Sequence, residues 1–389
     1  FMAFIFQHKS LINKFKRIEK LLRTEIYGFL NHNLKYLLQK KAKNNKILVS
    51  ALKSLNIKWY KFRGLEEIEA IPITQNIYAD EKHNPLKYRK SVMSAALRRI
   101  LAWHRCSNSK VIWITPNKGR IRDSGFTKSS RILNYPQDFE ELIRQLNKHR
   151  NYVLAARPAI LAQLAFHIHY NKCQVPTPRL IIAFNHDFTV GALNLLKETF
   201  SVPLVRLITD PQYGSIIATC RYKHYHLFEP VAYHEIVNSS GVAVTNGRGQ
   251  LVVTPLHTKK PSLLRYNTGI EVIPNKNAVC SCGLSYRTID NISYTMRPTI
   301  KGMNNSELLI PLSEELHENI VGVNYEQSYG GEVLITIKEH IIDKLSPNDY
   351  KAWFANYWKQ DIRITIVVDN RSSFLGNSSL SNFKVLNNN

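Results

Sequence analysis

Hydrophobic side chains recur at three- and four-residue spacing near the start of the chain. Leu11, Phe15, Ile18, Leu22 and Ile26 share one helical stripe, and Leu34, Leu37 and Leu38 continue it after the polar Asn31–Asn33. Residues 1–57 therefore read as helical. Met93–Trp103 is a second amphipathic helix. Pro136–His149 is a third, with Asp138 near its start and Phe139, Leu142, Ile143 and Leu146 on one face. Between them Lys110–Thr115 is a short apolar run that stops at Pro116, as a buried strand does.

From Tyr152 the pattern alternates. The run Tyr152–Ala155, the helix Ala159–Tyr170 and the strand Arg179–Phe184 form a strand–helix–strand unit, and Gly191–Phe200 followed by Val202–Ile208 repeats it. Such alternation implies a parallel sheet with covered faces. From about Leu227 to Val272 the reading changes to hairpins. Strands at Ala232–Val237 and Gln250–Pro255 flank the turn sequences Ser239–Gly241 and Asn246–Gly249. Beyond residue 297 come a strand at Gly330–Lys338, a helix at Pro347–Lys359 and a strand at Asp361–Val368, which together read as a small α+β lid. The expected division is a helical region over 1–60, a core over 61–296 with a β-rich part at about 227–290, and the lid over 297–389.

Charge changes this picture more than composition does. An apolar fraction of 44% is ordinary, but 53 basic against 29 acidic residues leave a formal net charge of +24. The resulting field favours anionic partners: nucleic acid, CoA or a nucleotide, anionic lipid, or an acidic protein. Lys35, Lys40, Lys41, Lys43 and Lys46 make a local cluster, whose simplest reading is a solvated basic face. No run of 18 apolar residues is present, so no transmembrane helix is expected. Phe1–Phe6 is apolar but too short to span, and lacks the features of a cleaved leader. Five cysteines in 389 residues do not make a disulfide framework, so a reducing, cytoplasmic setting is expected.

Three stretches carry a family resemblance: Gly249-Gln-Leu-Val-Val-Thr-Pro-Leu256, Leu263-Leu-Arg-Tyr-Asn-Thr-Gly269 and Cys280-Ser-Cys-Gly283. In order and spacing they resemble the adenylate-forming ligases of the phenylacetate–CoA ligase and capsule-biosynthesis type. That resemblance covers residues 60–295 well and the last 95 weakly. It implies an α/β adenylate-forming ligase fold, with a large α/β domain, a β-rich subdomain and a small α+β C-terminal lid.

The resemblance also says where ATP chemistry should lie, and four places depart from it. The phosphate loop, rich in Ser, Thr and Gly in the family, reads Tyr78-Ala-Asp-Glu-Lys-His83 here, with Asp80 and Glu81 facing where a polyanion would sit. The family's Thr and Glu that handle phosphate and Mg²⁺ fall on Gln212 and Tyr213. The ribose-binding acid is Ile270; Glu271 is adjacent, but neighbours on a strand face opposite ways. The C-terminal catalytic lysine falls on Asn377, with Lys384 as an alternative. Loss of a metal ligand or transition-state donor costs orders of magnitude in rate. ATP and Mg²⁺ are therefore disfavoured as cofactors.

A metal site is implied separately. In some relatives a Cys, a His and a C-x-C pair hold structural zinc, and Cys220, His226, Cys280 and Cys282 match that pattern, with His224 as the substitute ligand. Three thiolates and one imidazole form a normal tetrahedral zinc set. Buried free cysteines beside surface histidines are the alternative. His186 and Asp187 fall where the family has a short acyl-pocket segment; they read either as a loop pair or, with Asn185, as the lining of an acyl or pantetheine pocket, and Arg265 of the Arg-Tyr-Asn-Thr-Gly run is a further substrate-binding candidate. His167 and His169 lie on different faces of one helix, and Trp103 and Trp113 read as core.

The expected function is that of a degenerate ligase in an accessory or repurposed role. It would bind CoA, phosphopantetheine or an acyl thioester, with an acidic acyl-carrier protein as partner. The alternative is an active acyl- or aryl-ligase with a rebuilt ATP site. A nucleic-acid partner is disfavoured, because no recognised module is present.

Overall fold

The computed structural model describes residues 11–73, 86–115, 130–134, 139–185, 188–210, 214–257, 263–275, 280–294, 299–301, 307–311, 315–328, 332–342, 344–359, 362–370 and 381–385. In chain order the main elements are α1 (Arg23–Tyr36), α2 (Lys46–Ser54), α3 (Leu86–Trp103), β1 (Lys110–Thr115), β2 (Ser130–Asn134), α4 (Phe139–Leu146), β3 (Tyr152–Ala156), α5 (Pro158–Tyr170), β4 (Leu180–Phe184) and α6 (Val190–Phe200). There follow β5 (Leu204–Asp210), β6 (Gly214–Thr219), β7 (Tyr225–Leu227), β8 (Ala232–Val237), β9 (Gly249–Pro255), β10 (Tyr266–Pro274) and β11 (Thr288–Tyr294). The last are β12 (Thr299–Lys301), β13 (Glu307–Leu309), β14 (Ile320–Gln327), β15 (Val333–Glu339), α7 (Pro347–Trp358), β16 (Ile364–Val368) and β17 (Ser381–Val385).

The chain packs as two units. One comprises Phe1–Asn108, Gly119–Ser129 and Val205–Thr295; the other comprises Ser109–Lys118, Ser130–Leu204 and Met296–Asn389. In the first, the strands run antiparallel in the order β5-β6-β7-β11-β10-β9-β8. Most of the helical stripe read from the sequence packs on them: Phe15, Ile18, Ile26 and Leu34 share a core with Ile217, Leu227, Phe228, Leu251 and Leu264, whereas Leu22, at the junction before α1, is exposed. Asn45 caps α2 by accepting from the Leu48 N–H at 3.1 Å, which satisfies a donor that the first helical turn leaves open.

In the second unit, β2-β1-β3-β4 are parallel, as the strand–helix alternation predicts. Tyr152–Ala156 is buried along its whole length, so β3 is continuously apolar and does not alternate. The later segment of this unit forms a four-stranded sheet in the order β16-β15-β14-β17, with Tyr350 and Phe354 of α7 packed into its core. Gly191 lets α6 lie directly on backbone: a Cβ there would meet the Ile320 and Glu318 carbonyl oxygens at 2.7 Å. Thr189 fixes the same junction, capping α6 and donating its hydroxyl to the Val321 carbonyl at 3.0 Å.

Some boundaries differ from the sequence reading. The helix expected from Met93 starts at Leu86, and the helix expected over Pro136–His149 is Phe139–Leu146. No helix among the described residues is long and apolar enough to cross a membrane.

Besides His226, two histidines are buried among the described residues of the first unit. His234 and His257 are both buried, and burial pushes each down to about 3; nearby Arg287 adds to this for His234, and Lys14 for His257. Both are neutral when folded. Below pH 6.5 the unfolded chain takes up protons that the folded chain refuses. Their contribution is therefore complete above about 6.5 and is lost as pH falls towards 3, at about 1.4 kcal/mol per unit for each. Urea unfolding at pH 7 and pH 5 should show His234→Leu losing about 2 kcal/mol less than the parent over that interval. Equal losses would exclude His234 as a source of acid sensitivity.

Candidate metal centre

Cys220 follows β6 directly. A tight turn with Lys223 in the left-handed region (φ 66°) brings the chain back into β7, where His226 sits. The Cys220 N–H donates to the His224 carbonyl at 3.0 Å and closes that turn. β7 lies between β6 and β11, so His226 faces Ala218 on one side and Thr288 on the other. The approach to β11 carries Cys280 and Cys282 in a second turn, where the Gly283 N–H donates to the Cys280 carbonyl at 3.0 Å and Gly283 has φ 82°. Two turns from distant sequence thus face each other across one short strand.

The ligand atoms of Cys220, His226, Cys280 and Cys282 all lie within 4.8 Å of one another. The Cys220 and Cys280 sulfurs are 3.8 Å apart, and Cys282 Sγ is 3.4 Å from His226 Nε2. Zinc–sulfur bonds of about 2.3 Å at a tetrahedral angle put two sulfurs about 3.8 Å apart, so the spacing fits the ion. The Cys282 and Leu284 N–H groups each lie 3.5 Å from a sulfur, Cys280 and Cys282 respectively, and favour the thiolate form. His226 Nδ1 donates to the Tyr286 carbonyl at 3.3 Å, which leaves Nε2 bare towards the sulfurs, the tautomer a ligand needs. His224 approaches Cys280 Sγ through Nδ1 at 3.0 Å and stands exposed at the edge of the cluster.

The thiols are electrostatically divided. The Cys282 thiol donates to Cys220 and pulls it down to about 3, while Cys282 itself is pushed well up by the same hydrogen bond. Burial pushes Cys280 up. One thiolate is thus held by thiol protons, which are the protons a metal ion displaces.

Behind the cluster lies a network that sequence reasoning missed. Trp103 packs against His226, Phe228 and Tyr286, with ring centroids 5.6–6.4 Å apart. Its indole donates to Glu19 at 3.1 Å, and Arg99 binds the same carboxylate. Glu229, three residues after His226, is completely buried; Arg23 reaches it at 2.8 Å and Arg287 at 2.9 Å. Burial would push Glu229 up, but Arg287 and Arg23 outweigh it and hold the carboxyl below its ordinary range. Nothing local in the sequence signals this pairing, because Arg23 lies 206 positions from Glu229.

The other expected site residues are dispersed. Arg265 is buried with φ 46°, and its guanidinium binds Glu235 at 3.0 and 3.2 Å and the carbonyls of Glu69, Ile71 and Gly241 at 2.8–3.2 Å. All five of its N–H donors are engaged within the protein, which makes it an anchor for the loops around it. Ile270 is buried in the core, whereas Glu271 pairs with Arg248 at 3.5 Å. Asn185 follows β4 directly and is half-buried, with φ 48°. His186, Asp187, Gln212, Tyr213, Asn377 and the 78–83 loop lie outside the described residues. Lys384 lies in β17, in register with Glu326.

Neither a protein-family model nor a curated protein matches the chain. Solved structures do. A 2-hydroxyisobutyryl-CoA ligase in its postadenylation state, in complex with 2-HIB-AMP, superimposes with a TM-score of 0.72 at 10% identity, over 94% of this chain and 91% of that one. The same ligase with 2-HIB-AMP and CoA in the thioesterification state gives 0.56 at 10% identity, over 95% and 92%. Its open conformation, also with 2-HIB-AMP and CoA, gives 0.59 at 11% identity, over 92% and 91%. The chain has the fold of the adenylate-forming CoA ligases.

Removing one member of a buried ion cluster strands the others. Glu229→Gln should cost about 3 kcal/mol or more in urea unfolding. A loss below about 1 kcal/mol would mean that Arg23 and Arg287 find other partners.

Proposed function

We propose that this chain is a degenerate ligase of the phenylacetate–CoA ligase-like branch, which binds an acyl group or its thioester without classical adenylation. The observation that carries this is Ile270. Where the resemblance requires a ribose-binding carboxylate stands an aliphatic side chain buried in the core. The neighbouring carboxylate, Glu271, is turned to Arg248 and cannot take its place without breaking that pair. The residues that align with the phosphate and Mg²⁺ ligands, Gln212 and Tyr213, are unsuited to the charges they would meet. The neighbouring solved ligase binds both an acyl-adenylate and CoA; of these two, CoA and its thioesters are the ligands assigned here.

The partner that suits a +24 chain is an acidic acyl-carrier protein, delivering its acyl group on phosphopantetheine. The setting is cytoplasmic, where thiols stay reduced. Asn185, His186 and Asp187 are assigned to the acyl pocket. The functional division follows the sequence reading: helical region, core, and lid from 297. A second reading, an active ligase with a rebuilt ATP site, draws its support from the match to the postadenylation structure along nearly its whole length.

Cys220, His226, Cys280 and Cys282 are assigned a structural zinc ion. Four protein ligands leave no open position for substrate, so its contribution is to lock the two turns together.

Two measurements test this. Calorimetry with ATP and Mg²⁺ should show no binding at millimolar nucleotide, while CoA or an acyl-CoA binds. Micromolar ATP affinity, followed by acyl-adenylate formation, would establish the second reading instead. Elemental analysis of purified protein should find one zinc per chain, and Cys282→Ser should lose it together with several degrees of melting temperature. Metal-free protein that melts like the parent would remove the zinc assignment without touching the acyl-binding one.

A further inference from the structure

Residues 26–65 contain nine Lys and Arg and no Asp or Glu. Lys40, Lys43, Lys46, Lys53, Lys58 and Lys61 are exposed, and among the described residues none of them is ion-paired. The same stretch holds an excess of exposed apolar surface. Half of the large hydrophobic side chains that stand exposed among the described residues lie between Leu22 and Tyr60; Ile47 is 47% exposed, Leu55 40% and Tyr60 55%.

These features meet on α2 and the turn after it. At 100° per residue, Lys46, Ile47, Ser50, Lys53 and Ser54 fall on one outward arc, while Leu48 and Leu52 point into the core. The chain then presents Leu55, Lys58, Tyr60 and Lys61, with the Tyr60 ring held edge-on against Trp59 at 5.6 Å. Cations and bare aliphatic groups therefore share one short segment.

Three kinds of anionic partner fit the charge, and the apolar groups separate them. A nucleic-acid backbone would use the lysines and serines but gains nothing from exposed Ile and Leu. Protein–protein interfaces are depleted in lysine, the dominant residue here. An anionic bilayer uses everything on the face. Lysine heads meet lipid phosphates while their stems lie along apolar surface, aliphatic side chains enter the acyl boundary, and Tyr and Trp settle at headgroup level. We infer that the face carrying Lys46, Ile47, Lys53, Leu55, Lys58 and Tyr60 docks the protein peripherally on an anionic phospholipid bilayer. This inference is independent of the acyl-binding reading.

Co-sedimentation of the full chain with vesicles tests it, using phosphatidylcholine alone and equimolar phosphatidylcholine and phosphatidylglycerol. The parent should partition onto the anionic vesicles at least about tenfold better than onto the neutral ones. Lys46→Gln/Lys53→Gln/Lys58→Gln should lose roughly tenfold of that. Ile47→Ser/Leu55→Ser should keep the electrostatic part at low salt but lose the binding that survives at high salt, where charges are screened. All five positions are exposed, and unchanged melting curves would confirm that the variants fold. Equal partition onto both vesicles, no partition, or full binding by the lysine variant would overturn the inference. So would lysine-dependent binding to single-stranded RNA in the absence of vesicle binding, which would make nucleic acid the partner of this face.

Discussion

A carboxylate removed from water must be given cations or hydrogen bonds, and Glu229 draws both from distant parts of its unit. Arg23 comes from the first turn of α1, and Arg287 comes from the approach to β11. The Arg287 backbone N–H also donates to Glu229, and its guanidinium reaches the His234 carbonyl on β8. The helical region, β7, β8 and the entry to β11 are therefore held in one register by a single buried charge. His226 of the cysteine–histidine cluster lies on β7, three residues before Glu229, so its placement depends on this clamp. His226 aims at the sulfurs because β7 is pinned between β6 and β11, and Glu229 holds β7 at its far end.

The ligase-like pattern around β10 has a structural explanation apart from chemistry. Gly269 occupies the left-handed region at φ 70°, and register shifts between Asn267 and Glu271 mark a bulge. The Asn267 side chain accepts from the Gly269 N–H at 3.0 Å, and the Thr268 hydroxyl donates to the Leu251 carbonyl at 2.8 Å. Arg265 anchors the entry through Glu235 and three carbonyls. Arg-Tyr-Asn-Thr-Gly is therefore what this bend in a strand demands, whether or not a nucleotide binds beside it. The Ile270 N–H continues the bend by donating to the Thr268 hydroxyl at 3.2 Å, while its side chain is buried in the core.

How much the sequence disclosed depended on the range of the interaction. Lys110–Thr115 was readable as a strand because a continuous apolar run ending at proline has few other uses. β14 was not, because Gly322, Asn324 and Glu326 interrupt its apolar positions and its pairing with β15 and β17 supplies what local pattern lacks. The four metal-type residues could be grouped because the family resemblance implies the set; Cys-x-Cys by itself ties only Cys280 to Cys282. The sequence pattern already put His226 ahead of His224, and the strand register adds the physical reason: one histidine meets the sulfurs from the buried side and the other stands at the rim. Arg265 shows the opposite limit. Its partners are one carboxylate and three backbone carbonyls, and carbonyls carry no sequence signal at all.

The distribution of charge follows from the same burial. Glu19, Glu229 and Glu235 are taken into the interior, and each is met by arginine: Arg99, Arg23 with Arg287, and Arg265. Arginine suits this work, because its planar fork satisfies two carboxylate oxygens at once and is weakly hydrated. Each such pairing withdraws a carboxylate from the surface and spends a guanidinium on it. The cations left facing solvent in the helical region are therefore mostly lysines, with few acids beside them. The net charge of +24 is therefore unevenly placed: among the described residues, Lys46 and Lys53 on the outer face of α2 stand exposed with no ion-pair partner.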